Sequence, residues 1–382
     1  MSWENRNFKE LGFIGRGKSR HRPRNDESLY GGDYPMIQTG DVKAANFYLN
    51  SFSQTYNEKG LSQSKLWEPN TLCITIAANI AETAILGMKA CFPDSIIGFI
   101  ADDKKSDVRF IKYFFDIYKE RMQRISQGTT QDNLSLEKLL TFEVPTPPLQ
   151  TQKRIADILS SYDDLIENNL KRIKLLEQAA QNIYKEWFVN LRFPGHENTP
   201  INEETGLPEG WREKTLGEFT EINKGKNITK STIIAGNVPV VAGGLKPAYY
   251  HNTSNTINPV ITVSASGANA GYVNIYLEDI WASDCSYIDS NLSDSVFFIH
   301  NLLLNHQELI FGMQRGAAQP HVYPKDLKRA EFVIPDKVLI QKFEEQVSAQ
   351  YDMKRVLLNQ NQKLKAARDI LLPRLMNRTI EV

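Results

Sequence analysis

Gly12-Phe13-Ile14-Gly15-Arg16-Gly17-Lys18-Ser19 fits the phosphate-cradling pattern G-x-x-x-x-G-K-S. That motif works between a buried strand and a docking helix, because backbone amides, the lysine and the helix N-terminus hold the phosphates together. Asn7-Phe8-Lys9-Glu10 precedes it and Arg20-His21-Arg22-Pro23-Arg24-Asn25-Asp26 follows. Pro23 and the crowded like charges disfavour a helix there, so no nucleotide site is expected. Phe13-Ile14-Gly15-Arg16-Gly17 also matches the F-x-G-x-G of S-adenosylmethionine-dependent methyltransferases. An amino-methyltransferase needs an N-P-P-[YF] or D-P-P-[YF] loop as well, and Pro147-Pro148 stands between Thr146 and Leu149. The six histidines form no metal or triad signature, and no paired carboxylates with a nearby lysine suggest a nuclease. Cys73, Cys91 and Cys285 make no C-x-x-C and have no histidines at zinc spacing. The chain reads as non-catalytic, with no metal site.

The same residues suit another chemistry. Arg16, Lys18, Arg20, Arg22 and Arg24 alternate over nine residues. On an extended loop such cations line one side and neutralise successive phosphates; a solvated basic loop gives the same pattern. Lys224-Gly225-Lys226 provides a second, shorter cluster. Gln127, Thr129, Thr130 and Gln131 flank Gly128, and Arg315 and Gln319 flank Gly316-Ala317-Ala318. Gln and Arg can bond adenine and guanine edges, and Thr can bond phosphate or base, although a plain glycine turn also fits. Tyr249, Tyr250 and His251 could stack or hydrogen-bond.

What would position these groups is a duplication. Leu11-Gly12 recurs as Leu216-Gly217, Tyr34-Pro35-Met36-Ile37 as Val238-Pro239-Val240-Val241, and Ile74–Asn79 as Ile261–Ser266. Gln127–Gln131 recurs as Arg315–Gln319 and Pro147 as Pro335. The offset falls by 17 between the second and third of these blocks, which predicts a loop insertion around Asn46–Lys65 in the first copy. Each front part mixes β-like runs such as Ile261-Thr262-Val263 with turn signals at Gly31-Gly32-Asp33, Gly243-Gly244 and Ser266-Gly267. A helix is expected over Val108–Ile125.

Each copy ends in a long helix. Gln152–Phe188 contains neither Gly nor Pro. Leu159, Ile166, Ile173, Ala180 and Trp187 stand seven apart, with Tyr162, Asn169, Leu176 and Ile183 three residues after them, a heptad seam. Thr151–Phe188 would be about 57 Å long at ~1.5 Å per residue. The second copy keeps the ladder mainly at Leu357, Leu364 and Leu371, with Lys354 and Arg368 among its seam positions. Half-polar seams need a partner. The simplest is the other long helix, antiparallel; two separate amphipathic helices, each on its own domain, would give the same pattern.

The 382 residues carry 45 Lys+Arg and 45 Asp+Glu, with 41% apolar and 24% charged residues, which fits several folded domains. No apolar run approaches the ~20 residues of a membrane span, and the first residues lack a secretion signal. A cytoplasmic location is expected, with no membrane partner.

A duplicated globular unit with a long helix after each copy resembles the specificity subunit of type I restriction–modification enzymes. The resemblance covers almost the whole chain. Its motifs are Val144-Pro145-Thr146-Pro147-Pro148-Leu149-Gln150-Thr151-Gln152-Lys153-Arg154-Ile155, Trp187-Phe188-Val189-Asn190, Gly206-Leu207-Pro208-Glu209-Gly210-Trp211 with Leu216-Gly217, and Leu371-Leu372-Pro373-Arg374-Leu375-Met376. The first domain departs from it, having only Trp3 where Leu207–Trp211 leads into the second. The polar Lys354 and Arg368 suggest a surface for a partner subunit.

The implied fold is α+β, with two globular target-recognition domains, 1–147 and 211–335. Two long helices, 148–190 and 336–378, separate them and pair as an antiparallel coiled coil; a linker spans 191–210, and the whole is a pseudo-two-fold internal repeat. The implied function is non-catalytic reading of a bipartite site in double-stranded DNA. Two adenine methyltransferase subunits and restriction or motor subunits would be partners, and S-adenosylmethionine, ATP and Mg would bind only to those partners. A scaffold or adaptor that binds only proteins through its coiled coil is the alternative.

Overall fold

A computed structural model describes the backbone of residues 3–127, 134–316 and 319–382, and their side chains except those of 124–127. The chain divides into two units, Met1–Asn169 with Gln360–Val382, and Leu170–Asn359.

In the first unit a five-stranded sheet runs in the order Gly12–Arg16, Ile96–Ala101, Leu72–Thr75, Thr83–Leu86, Tyr48–Leu49. All its pairs are antiparallel except the last. Helix Val108–Gln127 brings Phe110, Phe114 and Phe115 into one apolar core with Phe8, Leu72, Ile74 and Phe99. A smaller sheet is ordered Gln54–Tyr56, Tyr30–Met36, Ala90–Cys91, Leu66–Trp67.

The second unit repeats this plan. Its main sheet is ordered Asn223–Lys224, Cys285–Asp289, Val260–Ser264, Val273–Tyr276, and its smaller one Tyr249–His251, Val238–Val241, Trp281–Ala282. The strand entries match as well. Glu4–Arg6 pairs with Val144–Thr146, and Arg212–Thr215 pairs with Glu331–Ile334. Each first strand leads into a short helix closed by a capping box, Asn7 with Glu10 and Thr215 with Glu218. Trp3 precedes the first of these strands as Trp211 precedes the other, so the missing lead-in leaves its tryptophan in place.

Strand register corrects parts of the repeat. Asn7 corresponds to Thr215, so Leu11-Gly12, which closes a helix, does not correspond to Leu216-Gly217, which opens one. The extra chain of the first copy is not one loop. Pro35 faces Thr55 where Pro239 faces Tyr250, and Thr75 faces Ile96 where Ser264 faces Cys285. The offset thus falls from 204 to 195 and then to 189. The added residues build helix Thr39–Ala44, strand Tyr48–Leu49 and helix Glu58–Gln63. Gly31-Gly32-Asp33 is a bulge within strand Tyr30–Met36, not a turn between strands, because Tyr30 and Tyr34 both face Tyr56.

The first long helix runs Leu149–Tyr184 and ends in a π turn, Lys185–Val189. The second runs Lys337–Met376, with Pro373 in its last turn. In the first unit Asp163 meets Arg368 and Asn169 meets Asn361. In the second, Glu177 meets Lys354 and Tyr184 meets Phe343. Partner numbers fall as residue numbers rise, so in each unit the helical segments pair antiparallel. Leu159, Ile166, Asn169, Ile173, Ala180 and Leu357 are buried, and Tyr162, Leu176, Ile183, Leu364 and Leu371 are half-buried. Lys354 and Arg368 face the other long helix, which corrects their expected role on a partner surface: each has a carboxylate opposite it in the seam.

Candidate nucleic-acid interface

The apparent phosphate loop is an edge strand. Gly12–Arg16 pairs with Ile96–Ala101, and no helix opens at Lys18-Ser19, the next being the short 3-10 turn Glu27–Leu29. Gly17 N–H then donates to Ile96 O at 2.8 Å and Lys18 N–H to Phe92 O at 3.0 Å. A Cβ on Gly17 would lie 2.3 Å from Pro93 O, so only glycine permits this approach. Gly17 and Ser19 are buried while Arg16 and Arg20 are exposed and Lys18 is half-buried, which places alternate cations on the outside. Gln63 Oε1 accepts from the N–H groups of Arg20 (2.6 Å) and His21 (3.0 Å), and the Ser64 hydroxyl donates to Lys18 O at 2.7 Å. Helix Glu58–Gln63 and the residue after it thus fasten the basic segment.

The five cations are not equivalent. Arg22 donates to Ser19 O and His21 O, both at 2.8 Å, and Arg24 pairs with Asp94 at 2.5 Å. Among the described residues no carboxylate pairs with Arg16, Lys18 or Arg20. His21 lies 2.6 Å from Asp26. Hydrogen bonds from Ser28 and His21 hold the Asp26 carboxyl down at about 2. Lys65 Nζ stands 3.6 Å from the centre of the Trp67 ring and 4.7 Å from that of Phe13.

The second unit builds the same turn from less sequence. Gly225 N–H donates to Cys285 O at 2.8 Å and Lys226 N–H to Ala282 O at 2.9 Å. A Cβ on Gly225 would lie 2.2 Å from Ser283 O. Lys224-Gly225-Lys226 therefore occupies the place of Arg16-Gly17-Lys18, with both lysines exposed. Trp281 Nε1 donates to Lys226 O at 2.8 Å and takes the part that Ser64 plays in the first unit. Backbone bonds continue from here. Ser283 N–H donates to Val241 O, Ala265 N–H to Asp284 O, Val322 N–H to Ala265 O and Gly267 N–H to Pro320 O. They tie the Lys226 turn to the Arg315–His321 hairpin, so the two sets of expected contacts in this unit share one loop cluster. Gln319 is exposed there, and Tyr249 and Tyr250 are exposed on strand Tyr249–His251. His251 is buried and accepts from Ile234 N–H at 3.1 Å.

Thr129, Thr130 and Gln131, and the side chain of Gln127, lie outside the described residues. The corresponding ladder does reach their neighbour, since Leu134 N–H donates to Ile76 O and Ile76 N–H to Ser95 O. Gln63, Ser64, Trp281 and Asp326 escape notice in the sequence as supports, because each lies more than ten residues from the group it holds. Among the described residues no cluster of His, Cys, Asp or Glu could hold a metal ion. The three thiols are buried and unpaired with one another; burial pushes that of Cys285 up to about 12.

The family model for the type I restriction modification DNA specificity domain matches residues 1–178 and 208–364, one match for each copy. The chain belongs to the type I restriction–modification specificity subunits. This specificity subunit is 25% identical to the type I restriction enzyme MjaIX specificity subunit of Methanocaldococcus jannaschii, over 98% of this chain and 92% of that one. It is 22% identical to the HindI specificity subunit of Haemophilus influenzae, over 66% and 72% of the two chains. The fold is similar to the crystal structure of a type I system S subunit from M. genitalium, with a TM-score of 0.58 at 17% identity over 98% and 96% of the chains. Among the described residues no helix of the specificity subunit is long and apolar enough to cross a membrane.

Proposed function

We propose that the specificity subunit reads a split site in double-stranded DNA, one half per unit, and brings partner subunits to it. The observation that carries this reading is the Gly–Lys turn. Both units hold it by the same two backbone bonds at the corresponding point of the corresponding sheet, yet they support it with different side chains, Gln63 and Ser64 in one and Trp281 in the other. A shared turn with different surroundings suits two readers that meet the phosphate backbone alike and the bases differently.

Arg16, Lys18, Arg20, Lys224 and Lys226 supply the salt-sensitive, sequence-independent part of binding. Base selection belongs to the loops beside them. The partners are adenine methyltransferase subunits, two per chain, and restriction or motor subunits, and these carry S-adenosylmethionine, ATP and Mg. The methyltransferase then flips its target adenine, at a cost of a few kcal/mol of unstacking.

Exchanging residues 211–335 for the same domain of another specificity subunit tests this in cells that also make the methyltransferase. Methylome sequencing should show one half-site replaced and the other unchanged. Changes in both halves, or methylation at no split site, would refute the reading.

A further inference from the structure

Within the second unit, one cation of the loop cluster is built unlike the others. Arg315 and His321 exchange both backbone hydrogen bonds, at 2.9 and 2.8 Å. Gly316, at φ +93°, turns the chain in a conformation that suits glycine. With its backbone fixed, Arg315 places Nη2 2.6 Å from Oδ1 of Asp326. The Asp326 side chain is 7% exposed and that of Arg315 60% exposed. The other oxygen of Asp326 is buried and has no partner among the described residues. The aspartate therefore sits inside the fold and holds an arginine that points out of it. Beside the pair lies an open cleft of about 380 Å³, lined also by Gln314 and Arg329.

An exposed arginine can meet DNA in two ways. As a charge it neutralises a phosphate; as a planar fork it makes paired bonds to the O6 and N7 of guanine. A carboxylate at 2.6 Å offsets the charge, which makes Arg315 a poor displacer of counterions. The same carboxylate leaves the fork oriented, with only one of its donor groups in use among the described residues. We propose that Arg315 is the residue with which the second unit selects a guanine, and that Asp326 is its positioning residue. The proposal rests on the reading of the specificity subunit as a DNA reader and adds a base and a residue to it.

The test uses the complex of the full chain with its methyltransferase subunit, read by methylome sequencing and by DNA binding at several salt concentrations. Arg315→Lys keeps the charge and removes the fork. It should relax one guanine position in one half-site, lowering that preference roughly tenfold or more, with the salt slope unchanged. Asp326→Asn keeps the volume and should relax the same position. Lys226→Ala should instead weaken binding to all sequences and reduce the salt slope by about one. Unchanged base preferences in both the Arg315 and Asp326 variants would overturn the assignment. So would an even loss across positions with a shallower salt slope, which would make Arg315 a phosphate contact. If the unsubstituted complex methylates no split site, the DNA-reading proposal itself fails, and that result is distinct from either of these.

Discussion

Asn169 and Asn361 meet inside the first unit's helix pair, both buried, with Asn169 Nδ2 donating to Asn361 Oδ1 at 2.9 Å. Neighbouring seam positions carry Ile166 and Leu364, and Asn169 Nδ2 has one further, longer contact, to Gln360 Oε1 at 3.5 Å. A buried amide costs free energy when its partner is removed and much less when both are replaced by apolar groups. Asn169→Leu should therefore lower stability by about 1–3 kcal/mol, since it strands the Asn361 oxygen. The double substitution Asn169→Leu with Asn361→Leu should recover that loss, and denaturant unfolding followed by circular dichroism measures both. The double variant forgoes one of the polar pairings, beside that of Asp163 with Arg368, that fix how these two segments align. Asn169 was visible in the sequence as a polar residue on an apolar ladder. Asn361 also falls at a seam position of the second helix, but its pairing with Asn169 is legible only once the antiparallel register is known.

At the scale of elements, helix Val296–Asn305 lacks a side-chain cap of its own, since Ser295 makes no capping bond. Glu344 on the second long helix supplies one by accepting the Phe298 N–H at 2.6 Å. Burial pushes the Glu344 carboxyl up to about 7, against the downward pull of the Phe298 and Phe297 amides. An acid whose folded value lies above its unfolded one binds its proton more tightly when folded. Its contribution to stability is whole below about 4.5 and is lost as the pH rises towards 7. Melting temperatures of the unsubstituted chain should thus fall relative to Glu344→Gln between pH 5 and 7.5; parallel curves would show that Glu344 does not titrate there. The sequence was legible where periodicity speaks, as in the seam from Leu159 to Ile183 and the strand Val260–Ser264. It misled where one residue type serves two geometries. Gly31-Gly32 looked like a turn and is a bulge, and the added chain of the first copy looked like a loop yet folds into helix Glu58–Gln63, which fastens the Arg20 backbone. Long-range supports such as Gln63 and Trp281 leave no local pattern to find.

For the whole molecule, among the described residues the two long helices are the only elements shared by both units, dividing between them at Asn169 and Leu170 and at Asn359 and Gln360. If the units read separate half-sites and the helices hold them apart, the length of these helices sets the gap. Seven residues are close to two helical turns, so a heptad added to each helix at that division keeps every seam residue on its face. It also lengthens each helix by about 10.5 Å, or roughly three base pairs of duplex. The helix partners must be extended together, because a heptad in one alone cannot keep both Asn169 opposite Asn361 and Glu177 opposite Lys354. Methylome sequencing of the doubly extended chain should show both half-sites intact and a spacer longer by about three base pairs. The duplex turns by roughly 100° over that distance, so methylation should also become slower as the DNA or the helices twist to compensate. A chain extended in only one helix should lose methylation through misalignment of the seam. An unaltered spacer in the doubly extended chain would mean that the gap is set elsewhere, by the methyltransferase subunits or by the DNA itself, and would remove the helices from the account of site selection.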